Sequence, residues 1–214
     1  LLAFLGSLAA VALTYFLGYS SGVRRSPAAL LLSGVAVASF LTAIQTFIQQ
    51  RNVETIRQVY SWILGRLNTA SWSEVSLLAP YALVASLVIL FHRRTLDVMR
   101  LGDAEASSVG IRPQVVRLIV IVAASLGTAA AVSVSGLIAF VGLIVPHTVR
   151  LLAGSSNRIV LPLSVMFGAA FLMSVDLLGR TIASPAEVPI GVITAFCGAP
   201  FFVVVLRSSR RSLG

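Results

Sequence analysis

The sequence is short of charge, and it contains no lysine at all. Charged residues make up 11% of its 214 residues, and all sixteen basic residues are arginine. A soluble globular domain usually carries about twice that charged fraction. The charges are also clustered, which leaves long uncharged stretches. This pattern is typical of a protein surrounded by lipid and argues against a large water-soluble domain.

Cysteine and the common catalytic patterns are also scarce. The single cysteine, Cys197, lies in an apolar stretch and cannot form a disulfide within the chain, so it indicates no redox compartment. The sequence contains no HExxH, GxSxG or Walker A pattern, and no Cys, Asp or Glu lies at metal-ligand spacing from His147. We therefore predict no catalytic residue, no metal site and no cofactor for this chain.

The net charge of +9 leaves two kinds of partner open, nucleic acid and a membrane surface. No basic run carries interleaved aromatic residues, and the arginines lie between apolar segments. We therefore predict membrane lipid, and no nucleic acid, around the basic residues.

Long apolar runs are what the sequence does contain. A helix needs about 20 residues to cross the hydrocarbon core. The seven runs that approach this length are Leu1–Tyr19, Ala29–Ile48, Val75–Phe91, Gln114–Val134, Leu137–Leu152, Val160–Leu178 and Val188–Leu206. They lack the alternation that barrel strands require. We predict an all-α, polytopic helical membrane protein in which residues 1–214 form one transmembrane domain. The third and fifth runs are short enough to be re-entrant or buried helices instead.

The arginines are divided unequally between the two sides of these spans. One side holds Arg24, Arg25, Arg93, Arg94, Arg100, Arg112, Arg150, Arg158, Arg207, Arg210 and Arg211. The other side holds Arg51, Arg57, Arg66 and Arg180, while Arg117 begins a span and counts for neither. The positive-inside rule then places residues 92–113 and the C-terminus in the cytoplasm. Seven spans then place the start of the sequence on the outer side. Because the sequence opens with Leu1 inside an apolar run, we expect a truncated start. An odd number of missing spans would return the N-terminus to the cytoplasm.

The longest polar interval on that side, Leu96–Gly110, predicts a short helix. Its start would lie in the run Leu101, Gly102, Asp103, Ala104 and Glu105. Acidic groups are favoured at the positive end of a helix dipole, and Gly110 followed by Pro113 predicts the stop. The pattern leaves two interpretations, a docking helix for a cytoplasmic partner and an ordinary connecting loop.

Several residues at the edges of the spans are candidates for structural or gating roles. Gly142 and Pro146 loosen a helix, and His147 is either a ligand or proton carrier or, more commonly, a capping or packing group. Asp176 lies well inside a span and is either a transport group or the i,i+4 partner of Arg180. The other candidates are Arg150, Pro189, Gly191, Gly198 and Pro200, with a break in the last span predicted at Gly198–Pro200.

The order of the motifs resembles the FecCD-like permeases of type II ABC importers for iron-siderophores, haem and cobalamin. The motifs are WILGRL at 62–67, LGD at 101–103, FVGLIVPH at 140–147 with Arg150, DLLGR at 176–180, EVPIGVITA at 187–195 and GAPFF at 198–202. The family usually has proline where Leu137 stands and a small residue at the position of Ala139, so this chain lacks the family's proline there. The resemblance implies ten spans with both termini cytoplasmic, of which the seven runs would be the last.

The resemblance also implies partners and roles. This chain would form a homodimer or heterodimer with a second permease copy in the bacterial cytoplasmic membrane. It would act there with two cytoplasmic ATPase subunits and an extracellular or periplasmic substrate-binding protein. ATP would be used by the ATPase, not by this chain. Residues 92–113 would be the coupling loop, with Leu101–Glu105 against the ATPase, and Arg180 would meet the binding protein.

The implied cargo is an iron-siderophore-type chelate, with haem or cobalamin as alternatives. A secondary transporter is a remoter rival from another class, for which only Asp176 could carry a coupling ion.

Overall fold

The structure is a computed structural model that describes residues 2–20, 27–51, 56–65, 67 and 71–211. The described residues are built from helices and contain no strand. The ten helices found there are α1 Leu2–Ser20, α2 Pro27–Gln50, α3 Ile56–Ile63, α4 Trp72–Phe91, α5 Arg93–Met99, α6 Asp103–Ser108, α7 Pro113–Ser135, α8 Val141–Ala153, α9 Asn157–Thr181 and α10 Ile190–Arg211. The predicted all-α fold is confirmed. Arg24, Arg25, Arg66 and the side chains of Arg57, Arg207, Arg210 and Arg211 lie outside what is described.

Seven of these helices are apolar along most of their length. Four are long enough to cross a membrane, namely α4, α7, α9 and the part of α2 over Ala29–Gln50. Three have shorter apolar stretches, Phe4–Gly18 in α1, Val141–Ala153 in α8 and Ile190–Val205 in α10. Each of the seven predicted spans therefore overlaps one apolar helix.

The fifth predicted span, Leu137–Leu152, is wrong at its start. The backbone from Gly136 to Phe140 is not helical, and α8 begins only at Val141. Gly136 and Phe140 have φ of 71° and 66°, which a right-handed helix does not accommodate. The 13 residues of α8 rise by about 20 Å at 1.5 Å each, less than the roughly 30 Å of the hydrocarbon core.

The break predicted in the last span at Gly198–Pro200 is also wrong, because α10 runs without interruption through Pro200. Pro80, Pro146 and Pro162 likewise lie inside α4, α8 and α9. A proline removes one backbone donor from the helix. Lipid offers the neighbouring backbone groups no competing partner, so the other helical hydrogen bonds persist.

The chain divides into two compact units, Leu1–Tyr60 and Ser61–Gly214. In the first, α1 packs against α2 through small and hydroxyl side chains. The Ser33 hydroxyl donates to the Thr14 carbonyl at 3.0 Å. A Cβ built on Gly18 would lie 2.7 Å from a side-chain carbon of Leu30. Small residues of this kind let helices approach closely where no hydrophobic force drives their association.

In the second unit, α4 packs against α7, and α8 packs against α9. A Cβ on Gly127 would lie 3.0 Å from that of Ala85, so glycine sets how closely α4 and α7 approach. Val145, Val149 and Val160 form the buried centre of the α8–α9 pair. Helix α10 contacts both α8 and α9, and the short helices α5 and α6 connect α4 to α7.

Candidate functional site

The turn before α6 presents an exposed apolar side chain. Leu101 is 74% exposed, and α6 begins at Asp103 as the sequence predicts. Gly102 has φ 136°, a conformation that side chains rarely adopt, and a Cβ there would overlap the carboxylate of Glu105. Asp103 and Glu105 both lie in the first turn of α6, where the helix dipole favours negative charge. The backbone of this turn therefore favours glycine through its φ, whereas the flexible Glu105 side chain could move aside.

An ion pair ties α6 to α7. Arg117 Nη2 lies 3.0 Å from Asp103 Oδ1, and both side chains are a little under half exposed. Ala106, in contrast, is fully buried, and its carbonyl accepts from the Ile111 amide at 3.1 Å. An exposed pair of this kind contributes at most about 1 kcal/mol. The pair therefore orients α6 more than it stabilises the fold, and Ala104 remains exposed on the helix surface.

Asp97 in α5 caps the start of α9, a role that the sequence did not predict. Its carboxylate accepts from the Asn157 amide at 2.7 Å and from the Ser156 hydroxyl at 2.9 Å. Burial raises the pKa of Asp97. Hydrogen bonds from Asn157, Ser156 and the Arg158 amide, together with the Arg100 charge, lower this pKa by more than burial raises it. The pKa therefore lies below its ordinary value. Ser156–Asn157 could have been recognised as a helix start, but nothing in the sequence names a capping partner so far away.

The residues of the FVGLIVPH motif pack within the α8–α10 bundle. The ring of His147 meets that of Phe201 edge to face, with centroids 5.6 Å apart. Arg150 donates to Asn157 Oδ1 at 3.4 Å, and a Cβ on Gly142 would meet nothing within 4 Å. Among the described residues no group of three His, Cys, Asp or Glu could hold a metal ion. The geometry supports the packing interpretation of His147.

At the C-terminal end of α9, Asp176 and Arg180 form the predicted i,i+4 pair. Arg180 Nη2 and Nε each lie 2.8 Å from Asp176 Oδ2, and the arginine side chain is 46% exposed against 25% for the aspartate. Both residues line a cavity of about 240 Å³. The rest of its wall comprises Ser61, Leu64, Gly65, Leu67, Gly179 and Glu187–Ile190. Asp176, Arg180 and Pro189, predicted separately, therefore share one site.

Closely packed glycine backbones, two of which (Gly65 and Gly179) line the cavity, support its wall. The Gly191 amide donates to the Leu64 carbonyl at 3.0 Å, and the Val188 amide donates to the Gly179 carbonyl at 3.0 Å. A Cβ on Gly191 or on Gly65 would lie less than 3 Å from the Leu137 carbonyl oxygen. Non-helical backbone at membrane depth requires internal partners of this kind, because lipid supplies none.

Gly198 of α10 has a similar steric reason, because a Cβ there would overlap the ring of Phe140. Gly198 is buried, whereas Pro200 is exposed. The glycine thus lets α10 pack over the left-handed turn at Phe140, and Pro200 plays no comparable part in the packing.

A polar stripe on α2 was also missed. Ser39, Thr42, Thr46 and Gln50 are all exposed and recur at spacings that place them on one helix face. These residues line a groove with Val35, Ala38, Ala43 and Phe47. The helical spacing could have been read from the sequence. The mean hydropathy of the run hides it, because an average does not show that the polar residues share one face. A polar face on a membrane helix usually meets protein or a water-filled path.

Comparison with known proteins extends over almost the whole chain. The profile described as the FecCD transport family matches residues 1–208. The cobalamin import system permease protein BtuC of Halobacterium salinarum is 40% identical over 96% of this chain and 55% of its own length. The Fe(3+)-citrate import system permease protein YfmD of Bacillus subtilis is 36% identical over 97% of this chain and 62% of its own length.

A solved structure described as the inward-facing conformation of a metal-chelate type ABC transporter is also similar. It matches with a TM-score of 0.82 and 27% identity, over 96% of this chain and 72% of the solved one. The chain thus spans between half and two thirds of the length of the two relatives named above, and nearly three quarters of the solved chain.

Proposed function

Since this chain belongs to the FecCD transport family, we propose that it is the membrane-spanning permease of an ABC importer. The observation that carries the proposal is the Leu101–Asp103 turn. It presents an exposed leucine beside a glycine whose φ disfavours a side chain, directly before a six-residue helix that is paired to α7. A short helix projecting from a membrane bundle fits a groove on a soluble partner. That partner would be a cytoplasmic ATPase, two copies of which would serve two permeases.

The arginine distribution supports a location in the cytoplasmic membrane, with this turn and the C-terminus in the cytoplasm. Arg180 would then face the exterior beside its cavity, where an acidic group of a substrate-binding protein could approach it. The polar stripe of α2 would line the translocation path. Neutral hydroxyl and amide groups suit a path that passes a large solute without binding it tightly.

We propose an iron-siderophore-type chelate as the cargo, with haem or cobalamin as alternatives. The relatives support this range, since one is named for cobalamin and another for ferric citrate. The described residues contain no cluster suited to bare iron, which fits transport of an intact chelate. A secondary transporter is less well supported, because Asp176 is already paired with Arg180 close to the end of α9.

The function is tested by reconstituting the full-length permease with its ATPase and binding protein in vesicles. Uptake of radiolabelled ferric citrate, ferric hydroxamate, hemin and cobalamin is measured with and without ATP. We expect ATP-dependent uptake of a ferric chelate. Uptake of hemin or cobalamin alone would replace the proposed cargo, and ATP-independent or absent uptake of all four would refute the importer.

The turn is tested in the same vesicles by combining Gly102→Trp with Asp103→Arg. We expect uptake to fall at least about tenfold, within the range typical of lost coupling between sites, while the permease remains folded in detergent. Gly110→Ala is the matched control, because Gly110 also has a positive φ, 81°, yet a Cβ there would meet nothing within 4 Å. Normal uptake by the double variant would remove the coupling role.

A further inference from the structure

Two side chains, one from the last turn of α5 and one from the residue that follows it, bond to the turn between α8 and α9. The Asp97 carboxylate accepts from Ser156 and Asn157, and the Arg100 guanidinium donates to the Ser155 carbonyl. The carboxylate therefore accepts hydrogen bonds at the start of α9, and the guanidinium donates one to the turn just before that helix. Arg100 is followed directly by Leu101, so these hydrogen bonds lie next to the proposed coupling turn in the sequence.

Ser156 and Asn157, which donate the bonds to Asp97, adjoin a closely packed part of the second unit. Asn157 is only 7% exposed, and its side-chain oxygen accepts from Arg150 of α8. One turn further on, Val160 lies in the buried cluster with Val145 and Val149. A displacement of Ser156 and Asn157 therefore carries α8 and α9 with it, since packed interiors shift as units and do not deform smoothly.

The distant carboxylate is not needed merely to cap α9. Ser156 occupies the N-cap position, where a serine oxygen commonly accepts from the first turn of its own helix. Here the hydroxyl makes no such bond and donates to Asp97 instead. The chain uses a residue 60 positions away for a task that the local serine could perform. This choice ties two elements together, which a local cap would not do.

We propose that Asp97 is a positioning residue that links the Leu101–Asp103 turn to α9, so that movement of the turn is transmitted through Ser156 and Asn157 to the α8–α9 pair. The inference rests on the proposed importer function and names one path by which ATPase movement enters the bundle. Asp97 contacts neither cargo nor ATP in this role. Its loss lowers the number of cargo molecules moved per ATP hydrolysed, not the ability to bind the ATPase.

The test separates linking from capping. Asp97→Ala removes both, whereas Asp97→Ala combined with Ser156→Asp restores a local cap to α9 without restoring the link, because aspartate is a strong N-cap residue. Glu74→Ala is the matched control. Glu74 completes a capping box with Ser71 at the start of α4, accepting from the Ser71 amide at 3.1 Å, and lies at the opposite end of α4 from α5.

Full-length complexes are reconstituted, and uptake per ATP hydrolysed is measured with the radiolabelled cargo that the wild type carries, alongside thermal stability. We expect the double variant to regain the stability lost in Asp97→Ala, yet to transport at least about fivefold less per ATP than the wild type. Glu74→Ala should lose stability at an unchanged ratio. A double variant with the wild-type ratio would show that Asp97 only caps α9. A wild type without ATP-dependent uptake would overturn the importer function itself, together with this inference.

Discussion

At its first turn, α9 is held by side chains from outside the helix, whereas its last turn carries an ion pair made within the helix. Asp97 and Arg150 reach the N-terminal end from α5 and α8. At the C-terminal end, Arg180 bonds to Asp176 four residues earlier and remains 46% exposed. With 25 residues, α9 separates these ends by about 37 Å.

The difference indicates what each end can do. The N-terminal end is hydrogen-bonded to side chains of other helices. A displacement of those helices would therefore be transmitted to α9. The C-terminal end has an accessible charge beside a cavity, so it suits recognition of another molecule. Beneath that exposed charge, however, the glycine backbones around Leu64 and Leu137 are closely packed. Rigidity at this end therefore comes from the main chain and not from the charged side chains.

The largest effect is expected from Gly191→Val. Its Cβ would lie 2.8 Å from the Leu137 carbonyl oxygen and would also strike that of Leu64, which accepts the Gly191 amide. Neither oxygen belongs to a flexible side chain, so we expect a loss of about 3 kcal/mol of stability, at the upper end of the cost of overpacking, and little folded protein. The measurement is the monodisperse fraction in detergent after purification.

Gly142→Val is the matched control, since a Cβ at Gly142 would meet nothing within 4 Å in α8. It should yield nearly wild-type amounts of folded protein. If Gly191→Val were as well tolerated as this control, the rigid main-chain support of the cavity would be wrong.

Whether the sequence predicted a contact depends on how far apart its two residues lie along the chain. The Asp176–Arg180 pair follows from helical spacing, and the start of α6 follows from Gly102 before two acidic residues. Asp103–Arg117 and Asp97–Asn157 join residues 14 and 60 positions apart, and local pattern contains no information about such pairs.

The apolar runs show the same division between what composition reveals and what it hides. Length and hydropathy identified all seven apolar helices. They did not identify the start of α8, because Leu137–Ala139 is as apolar as the helix that follows. The helix is delayed there by the left-handed backbone at Phe140 and by the approach of Gly65 and Gly191 to Leu137. Those contacts exist only after three segments have come together.

A smaller effect is expected from Arg180→Glu, which tests recognition at the C-terminal end. We expect binding-protein docking to weaken about tenfold at low salt and the difference to shrink as salt rises, because exposed charges act over about 10 Å at 0.1 M ionic strength. Docking is measured with the full-length permease in nanodiscs at several salt concentrations.

Asp176→Asn serves as the control for this experiment, since it removes the local pair while keeping the arginine charge. It should leave docking intact or strengthen it slightly. Unchanged docking of Arg180→Glu at low salt would eliminate the recognition role and leave Arg180 as a partner of Asp176 only.

The smallest expected effect is a change in stability. It compares Asp97, which bonds to the N-terminal end of α9, with Asp176, near its C-terminal end. Asp97→Asn should cost about 1 kcal/mol, as expected for a weakened helix cap. Asp176→Asn should cost less than about 0.5 kcal/mol, as for other exposed i,i+4 pairs. Thermal unfolding in detergent, followed by the same probe for both variants and the wild type, gives the two differences.

The pH dependence of the Asp97→Asn difference is the sharper part of this comparison. Because the pKa of Asp97 is lower in the folded protein than its ordinary value of 3.8, its contribution is fully present above that value. The contribution is lost as the pH falls through the lower, folded pKa. The gap between wild type and Asp97→Asn should therefore stay constant from about pH 8 to pH 5 and narrow only in stronger acid. A gap that already closed near neutral pH would mean that the carboxylate is not held as an anion by Ser156 and Asn157, and the contrast between the two ends of α9 would then fail.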